Sequence, residues 1–410
     1  MNSRRQLLRK ALAGALAGTL SPWAQLSVAA TPAGGAATAR RFVFVILRGG
    51  MDGLNAVPAV GDPAFAEARG PLASFPGEML KLEGPFALHP LLPQMHAMYG
   101  QGELAVVHAT GLPYKERSHF DAQQVLESGG SRPHELATGW LGRALPGAKL
   151  RAVALETAVP LVLRGADEVD TWAPSVLPEP SMDLVTRLES MYRADPALAQ
   201  ALARARGLRD EPGMAANPMV MGAGGGADGA AGSAPANPGR AAAVTLARKA
   251  AEFLQRGAQV AVLELGGWDS HANQANPNGA TSNNLRTLDA TLAALREGLQ
   301  EGGTWGRSAV LVATEFGREV AGNGTGGTDH GSGGAAFVLG GAVRGGRVLA
   351  DWPGLAKKDR FEGRDLRITT DLRAVMRNLL GEHLQVSRAA LDTHVLPGSA
   401  GLPRLDLLRG

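Results

Sequence analysis

Short apolar runs recur along the chain from residue 41 onward, and stretches with helical periodicity separate them. The runs are apolar on both faces and rich in β-branched residues; they lie at 42–47, 104–108, 260–265, 309–314 and 335–340. Runs of this kind are typical of strands that are buried on both sides in a parallel sheet. The pattern therefore predicts an α/β fold with a doubly wound, mostly parallel sheet flanked by helices.

Two helices can be placed between these runs from the spacing of their apolar residues. They cover residues 239–255 and 285–299, and the leucines of the second recur on one helical face. By contrast, residues 205–240 are poor in large aliphatic side chains and crowded with Gly, Ala and Pro, which predicts a mobile loop. We expect one domain over residues 41–400, with this loop as an insertion.

The first thirty residues have the pattern of an export signal. Arg4 and Arg5 precede an apolar stretch from Ala11 to Leu20, and a small-residue segment ends at Ala30. The "SRRQLL" segment resembles a twin-arginine signal, which is read by an export receptor; an ordinary secretory signal is the alternative. About ten apolar residues are too few to cross a bilayer core of about 30 Å. We predict a signal peptide over residues 1–30, twin-arginine export machinery as a partner, and a periplasmic or secreted mature chain without a membrane span.

Composition restricts the chemistry that is open to this chain. Its 41 Lys and Arg residues nearly balance 38 Asp and Glu residues, and no segment gathers the positive charge that a nucleic-acid groove requires. Cysteine is absent, which excludes disulfides, thiolate metal sites and a cysteine nucleophile. Any metal must therefore be bound by His, Asp, Glu or hydroxyl groups.

Acidic and histidine side chains follow several of the predicted strands. In doubly wound sheets, functional groups collect beyond the carboxyl ends of the strands. We therefore predict a metal site with the ligands Asp52, Asp269, His271, Glu315 and His330. This mixture of oxygen and nitrogen ligands favours one or two divalent ions among Zn, Mn, Mg, Ca and Fe.

His330 differs from the other predicted ligands because it precedes a strand. It follows Asp329 in the segment "GNGTGGTDHGSGG", whose seven glycines we expect to let the loop fold over the sheet and deliver the imidazole. Two other ligands have simpler explanations as well. Asp52 has the alternative role of a helix cap, and Glu315 that of an ion-pair partner of Arg318.

A candidate nucleophile lies at the predicted start of a helix. Ser118, in "YKERSHFDAQQ", would have free backbone N–H groups and the positive end of the helix dipole nearby, although a serine there can also be only a cap. We expect Arg48 or Arg318 to bind the charge of an anionic substrate. His89 and His108 are interpreted as hydrogen-bonded structural residues.

Several motifs together resemble a bacterial family of exported proteins, which is classed as a domain of unknown function within the alkaline phosphatase-like superfamily. The motifs are "RGGMDGLN", "LHPLLPQM", "RSHFDAQ", "GGWDSHANQ", "ATEFGRE", "GTDHGSGGAAFVLGGAVRGGRV" and "DWPGL". The resemblance implies sulfatase-like relatives, with Ser118 as nucleophile and Asp52, Asp269, His271, Glu315 and His330 as metal ligands. Where that superfamily commonly has an Asp-His pair, this chain has Glu315-Phe316, which removes one nitrogen ligand.

These observations lead to two hypotheses on function. The first is an exported metal-dependent hydrolase that cleaves small anionic phosphate or sulfate esters. The second is a non-catalytic periplasmic binding or assembly protein that keeps the alkaline phosphatase-like fold.

Overall fold

The computed structural model describes residues 39–148, 150–174, 181–210 and 238–410. The predicted signal peptide and residues 211–237 of the predicted loop lie outside these ranges. The ends of the predicted loop are helical, since the flanking helices run to Asp210 and begin at Pro238.

A nine-stranded mixed sheet forms the centre of the molecule, and a two-stranded ribbon lies apart from it. The strands are β1 Arg41–Leu47, β2 Leu80–Lys81, β3 Ala87–Leu88, β4 Leu104–Gly111, β5 Ala152–Ala154, β6 Val169–Thr171, β7 Val260–Leu265, β8 Ser308–Thr314, β9 Gly334–Leu339, β10 Arg347–Leu349 and β11 Thr370–Asp371. The order in the sheet is β10-β4-β9-β8-β1-β7-β5-β6, with β11 also paired to β4. All five strands expected from the apolar runs are therefore present.

The helices connect and cover these strands. They are α1 Gly53–Ala56, α2 Phe65–Arg69, α3 Pro93–Gly100, α4 His119–Ser128, α5 Trp140–Ala148, α6 Met182–Tyr192, α7 Pro196–Asp210, α8 Pro238–Gln255, α9 Ala280–Glu301, α10 Leu372–Asn378 and α11 Arg388–Ala390. The two helices predicted from the sequence correspond to α8 and α9. None of the helices in the described ranges has the length and apolar character that crossing a membrane requires.

Alternate residues of β1 explain why both faces of the sheet are covered. Val43, Val45 and Leu47 pack into one apolar cluster with residues of α3, α8 and α9. Phe42 and Phe44 point to the other face, where they pack with residues of α4, α5 and α10. Because successive side chains of a strand point to opposite faces, a continuous apolar run requires this double cover.

One strand runs against the rest. Strand β9 pairs antiparallel with both of its neighbours, β4 and β8. The pairs β1–β7, β1–β8, β4–β10, β5–β6 and β5–β7 are all parallel. The sheet is therefore mixed and mostly parallel; the prediction of a mostly parallel sheet is confirmed, and the apolar run at 335–340 forms the antiparallel strand. The reversal places the amino end of β9 at the edge where β1, β7 and β8 have their carboxyl ends.

Candidate metal centre

Three imidazoles and one carboxylate converge at the carboxyl edge of the sheet. His119 is the first residue of α4, Asp269 and His271 follow β7, and His330 precedes β9. The loops that carry them come from distant parts of the sequence. They meet because β7 ends, and α4 and β9 begin, at the same edge of the sheet.

Three of these side chains, His119, Asp269 and His330, have possible ligand atoms that all lie within 4.8 Å of one another, as a site for one ion requires. The Nε2 atom of His330 lies 3.0 Å from Nε2 of His119 and 3.1 Å from Nε2 of His271. The Oδ1 atom of Asp269 lies 2.9 Å from Nε2 of His271 and 3.2 Å from Nε2 of His330, and its Oδ2 lies 3.4 Å from Nε2 of His119. Ligand atoms that bind one tetrahedral ion at about 2.1 Å are about 3.4 Å apart. Small movements outward would therefore admit a divalent cation.

The other ring nitrogen of each histidine, Nδ1, contacts a hydrogen-bond acceptor. The pairs are His119 with Glu315 Oε1 at 2.8 Å, His271 with Asp329 Oδ1 at 3.1 Å, and His330 with the Arg117 carbonyl oxygen at 2.9 Å. Carbonyl and ionised carboxylate oxygens only accept, so each Nδ1 carries a hydrogen, and each Nε2 faces the common point, where an unprotonated ring presents a lone pair. Lone pairs 3 Å apart repel unless a proton or cation lies between them. The donor set therefore fits a divalent metal, with acceptors that fix the orientation of its imidazole ligands.

Glu315 is the buried carboxylate of this arrangement. Burial raises its pKa, but hydrogen bonds from His119 and Gln123, together with the backbone N–H of Gly49, outweigh burial and hold the pKa at about 2. In return, the hydrogen bond to Glu315 raises the pKa of His119 in the metal-free protein. The pKa of His330 is lowered by its burial and by the nearby charges of His119 and Arg318.

Arg318 positions Asp269 and the surrounding loops. Its guanidinium is almost fully buried and lies 2.5 Å from Oδ1 of Asp269. It also donates to the carbonyl oxygens of Gly49, Gly50, Trp268 and Thr328. Burial raises the pKa of Asp269, but the hydrogen bond and charge of Arg318 outweigh it, so the pKa is lowered and the carboxylate stays ionised.

Arg117 adopts a backbone conformation that orients His330. Its φ of 61° lies in the left-handed region, which is unfavourable for a residue with a side chain. Ion pairs fix the residue there, at 2.9 Å to buried Asp365 and 2.6 Å to Glu362. The carbonyl oxygen of Arg117 then accepts the hydrogen bond from His330.

Glycines in the segment before β9 let its backbone pack closely against neighbouring loops. A Cβ atom on Gly331 would lie 2.3 Å from the carbonyl carbon of Arg318, and one on Gly327 would lie 2.2 Å from that of His271. Positive φ contributes less than we expected from the sequence, since within 322–334 it occurs only at Gly326. Close approach is thus the main reason for glycine in this loop.

Asp52 has the alternative role foreseen for it, that of a helix cap. Its Oδ1 accepts hydrogen bonds from the N–H groups of Leu54 and Asn55 at the start of α1. Its Oδ2 lies 2.6 Å from the guanidinium of Arg69, which is fully buried, and 2.5 Å from Nε2 of Gln274. Both carboxylate oxygens are therefore engaged by protein donors.

Arg48 is also removed from the converging nitrogens by its contacts. Its guanidinium pairs with Glu127 at 2.8 Å and makes a second ion pair with Glu264. These two carboxylates balance its charge. The contacts therefore place Arg48 in an ion-pair network between β7 and α4.

Ser118 is the N-cap residue of α4, but its side chain makes no capping hydrogen bond. Its hydroxyl instead contacts the hydroxyl of Tyr114, which donates to Asp121 at 3.0 Å. Among the described residues, the N–H groups of residues 119–121 have no acceptor. The start of this ten-residue helix therefore offers a hydroxyl and free donors immediately beside His119.

His119 is the member of the cluster that was not predicted from the sequence. A signal was present in the sequence, because His119 follows the end of β4, as Asp269 and His271 follow the end of β7. Glu315, which was predicted as a ligand, contacts Nδ1 of His119 at 2.8 Å.

The cluster is open to solvent on one side. The side chains of Asp269 and His271 are 43% and 45% exposed, whereas Glu315 behind them is fully buried. Phe316 packs against the rings of His119 and His330, with ring centroids 4.6 and 5.0 Å away. A metal bound here would have protein ligands on one side and room for a small ligand on the other.

Residues 39–396 match the sequence model of a family described as "Protein of unknown function (DUF1501)". No curated protein matches the chain. Among solved structures, the chain is similar to Ps i-CgsB, at 10% identity over 88% of this chain and 76% of that one, with a TM-score of 0.42. It is also similar to the PsFucS1 sulfatase from Pseudoalteromonas sp., at 12% identity, 91% and 74% coverage and a TM-score of 0.40. A third similar structure is the phosphonate monoester hydrolase of Agrobacterium radiobacter, at 13% identity over 85% of this chain and 74% of that one, with a TM-score of 0.37.

Proposed function

This chain belongs to the DUF1501 family of proteins of unknown function, and from that premise we propose that it is an exported metal-dependent hydrolase of phosphate or sulfate esters. The single observation that carries the proposal is the convergence of three Nε2 lone pairs and one carboxylate on a point that is open to solvent. We propose His119, Asp269, His271 and His330 as the metal ligands. Asp52 and Glu315, which the sequence analysis had included, are left out of this set.

The surrounding residues have separate roles in this proposal. Glu315, Asp329 and the carbonyl of Arg117 fix the orientation of the imidazoles, and Arg318 positions Asp269 rather than touching substrate. Arg48 has no role in it, because two carboxylates already balance its charge. A bound divalent ion would supply Lewis-acid polarisation of the ester oxygens and would favour ionisation of a nearby hydroxyl.

The start of α4 supports an anionic substrate. The free N–H groups of residues 119–121 and the positive end of the helix dipole favour phosphate or sulfate oxygens next to the cation. We propose that Oγ of Ser118 attacks phosphorus or sulfur while the bond to the leaving alcohol breaks. Ser118 loses its proton and the alcohol gains one. Water then cleaves the serine ester, releasing the inorganic anion and restoring the hydroxyl.

The test measures bound metal and ester turnover in the same preparations. Wild type, His330→Ala and Ser118→Ala would be assayed on a panel of phosphate and sulfate monoesters. We expect His330→Ala to lose metal and turnover together, and Ser118→Ala to keep metal while turnover falls by several orders of magnitude. Ser387→Ala is the matched control, because Ser387 caps a different helix with a real side-chain hydrogen bond to Ala390.

Two outcomes would contradict parts of the proposal. Wild-type protein that is replete with metal and inert toward the whole panel would favour the non-catalytic binding protein. Equal turnover in Ser118→Ala and wild type would remove the nucleophile and leave the metal centre in place.

A further inference from the structure

Phe120 is the most exposed large apolar side chain in the described chain, and it lies next to a proposed metal ligand. Its side chain is 89% exposed. The other nine phenylalanines of the sequence are buried or partly buried. Phe120 is the second residue of α4, directly after His119.

The packing of the protein does not explain this exposure. No ring contact of Phe120 occurs among the described residues, whereas Phe316 packs against His119 and His330 from the buried side. An exposed phenylalanine forgoes the burial that stabilises its counterparts in the core. Other strongly exposed apolar residues are Met182 and Met191 on α6, a different element from the one that begins at the metal centre.

The helical position indicates which part of a ligand would meet this ring. Successive helical residues are about 100° apart around the axis. With His119 directed at the ligand cluster, Phe120 projects to the side of the cluster and not over it. A ligand whose anionic group lies at the metal would therefore reach Phe120 with the part that carries no charge.

We infer that Phe120 determines substrate specificity by packing against a ring in the alcohol part of the ester. This inference rests on the proposed function, because it assumes that the anionic group binds at the metal centre. Aromatic side chains favour flat apolar faces, which they contact by stacking or edge-to-face packing. The substrate class is then a monoester whose alcohol bears a ring, rather than a short alkyl ester.

The experiment measures binding of two probes to the full, metal-loaded chain. Phenylphosphonate and methylphosphonate present the same anionic group to the metal, and neither can be hydrolysed as an ester. We expect wild type to bind phenylphosphonate about 10-fold more tightly, which equals about 1.4 kcal/mol. Phe120→Ala should abolish this preference and leave the affinity for methylphosphonate unchanged, and Phe120→Trp should retain the preference.

Met191→Ala is the matched control, since it removes a similarly exposed apolar side chain from α6. It should leave both affinities as they are in wild type. Equal affinity of wild type for the two probes, or the same preference in Phe120→Ala, would overturn the inference and leave the proposed function intact. If neither probe binds to metal-loaded wild type, the inference and the proposed ester site are both wrong.

Discussion

Three histidines in the core and three at the sheet edge show how the same side chain is used in two different ways. His89, His108 and His383 are almost fully buried, and the ring of each forms a hydrogen bond with a backbone group of another residue. His119, His271 and His330 each fix one nitrogen on an acceptor and direct the other at a shared point. The first arrangement stabilises a neutral ring in a dry environment, whereas the second prepares a set of lone pairs for a cation.

The electrostatic consequences differ in the same way. Burial lowers the pKa of each core histidine to about 4, so protonation works against the fold. At the edge, the hydrogen bond to Glu315 raises the pKa of His119, whereas burial lowers the pKa of His330. Comparing the two groups teaches that exposure separates them: the core histidines are almost fully buried, whereas His119, His271 and His330 keep a part of the ring open to solvent.

The largest expected effect concerns Asp52, which our sequence analysis grouped with the edge and the structure places with the core. Asp52→Ala should lower the free energy of unfolding by about 3–5 kcal/mol, because it leaves the buried charge of Arg69 without its partner. Urea denaturation measures this change. The metal content per folded molecule should equal that of wild type, and loss of metal without loss of stability would return Asp52 to the ligand set.

The next effect separates the two groups of histidines directly. His330→Ala removes the nitrogen that contacts the other three ligands, so metal affinity should fall by more than about 100-fold, beyond the loss typical of an outer-shell change. His108→Ala should lower the free energy of unfolding and leave metal affinity unchanged. Metal titration and urea denaturation of both variants test these two expectations. Loss of metal affinity in His108→Ala, with unchanged affinity in His330→Ala, would contradict the division into core and edge histidines.

A smaller loss is expected for the carboxylate behind His119. Glu315→Gln keeps an oxygen that accepts from Nδ1 but removes the charge, and metal affinity should fall by about 10- to 100-fold. Asp329→Asn is the matched comparison at His271. Asp329→Asn should lower the metal affinity less than Glu315→Gln does, because Asp329 is half-exposed and water screens its charge. Equal losses for the two variants would mean that burial does not set the strength of these contacts.

The smallest effect on stability is the acid sensitivity that each core histidine contributes in metal-free protein. Their folded-state pKa of about 4 lies below the unfolded value of about 6.5, so the unfolded chain binds more protons in between and stability falls as pH drops through that window. At pH 5 each core histidine should lower the free energy of unfolding by about 2 kcal/mol relative to pH 7. His383→Gln should flatten the dependence by that amount in urea denaturation, and an unchanged slope would contradict the buried neutral state of His383.

Much of the fold could be predicted because the signals are local. Each apolar run forms a strand, since side chains that must be covered on both faces leave few other arrangements, and the leucine face of α9 has a period that only a helix provides. Asp269, His271 and His330 could be recognised as site candidates because polar side chains next to buried strands occur where sheets open to ligands.

The sequence by itself therefore determined five of the eleven strands, two long helices and three of the four side chains that meet at the edge. Only the tertiary structure decided that β9 runs antiparallel, and this reversal brings His330 to the edge although it precedes its strand. It also decided that His119 belongs to the cluster and that Asp52 pairs with Arg69. Strand direction and side-chain partners depend on contacts between residues far apart in the chain, so no local pattern of residues encodes them.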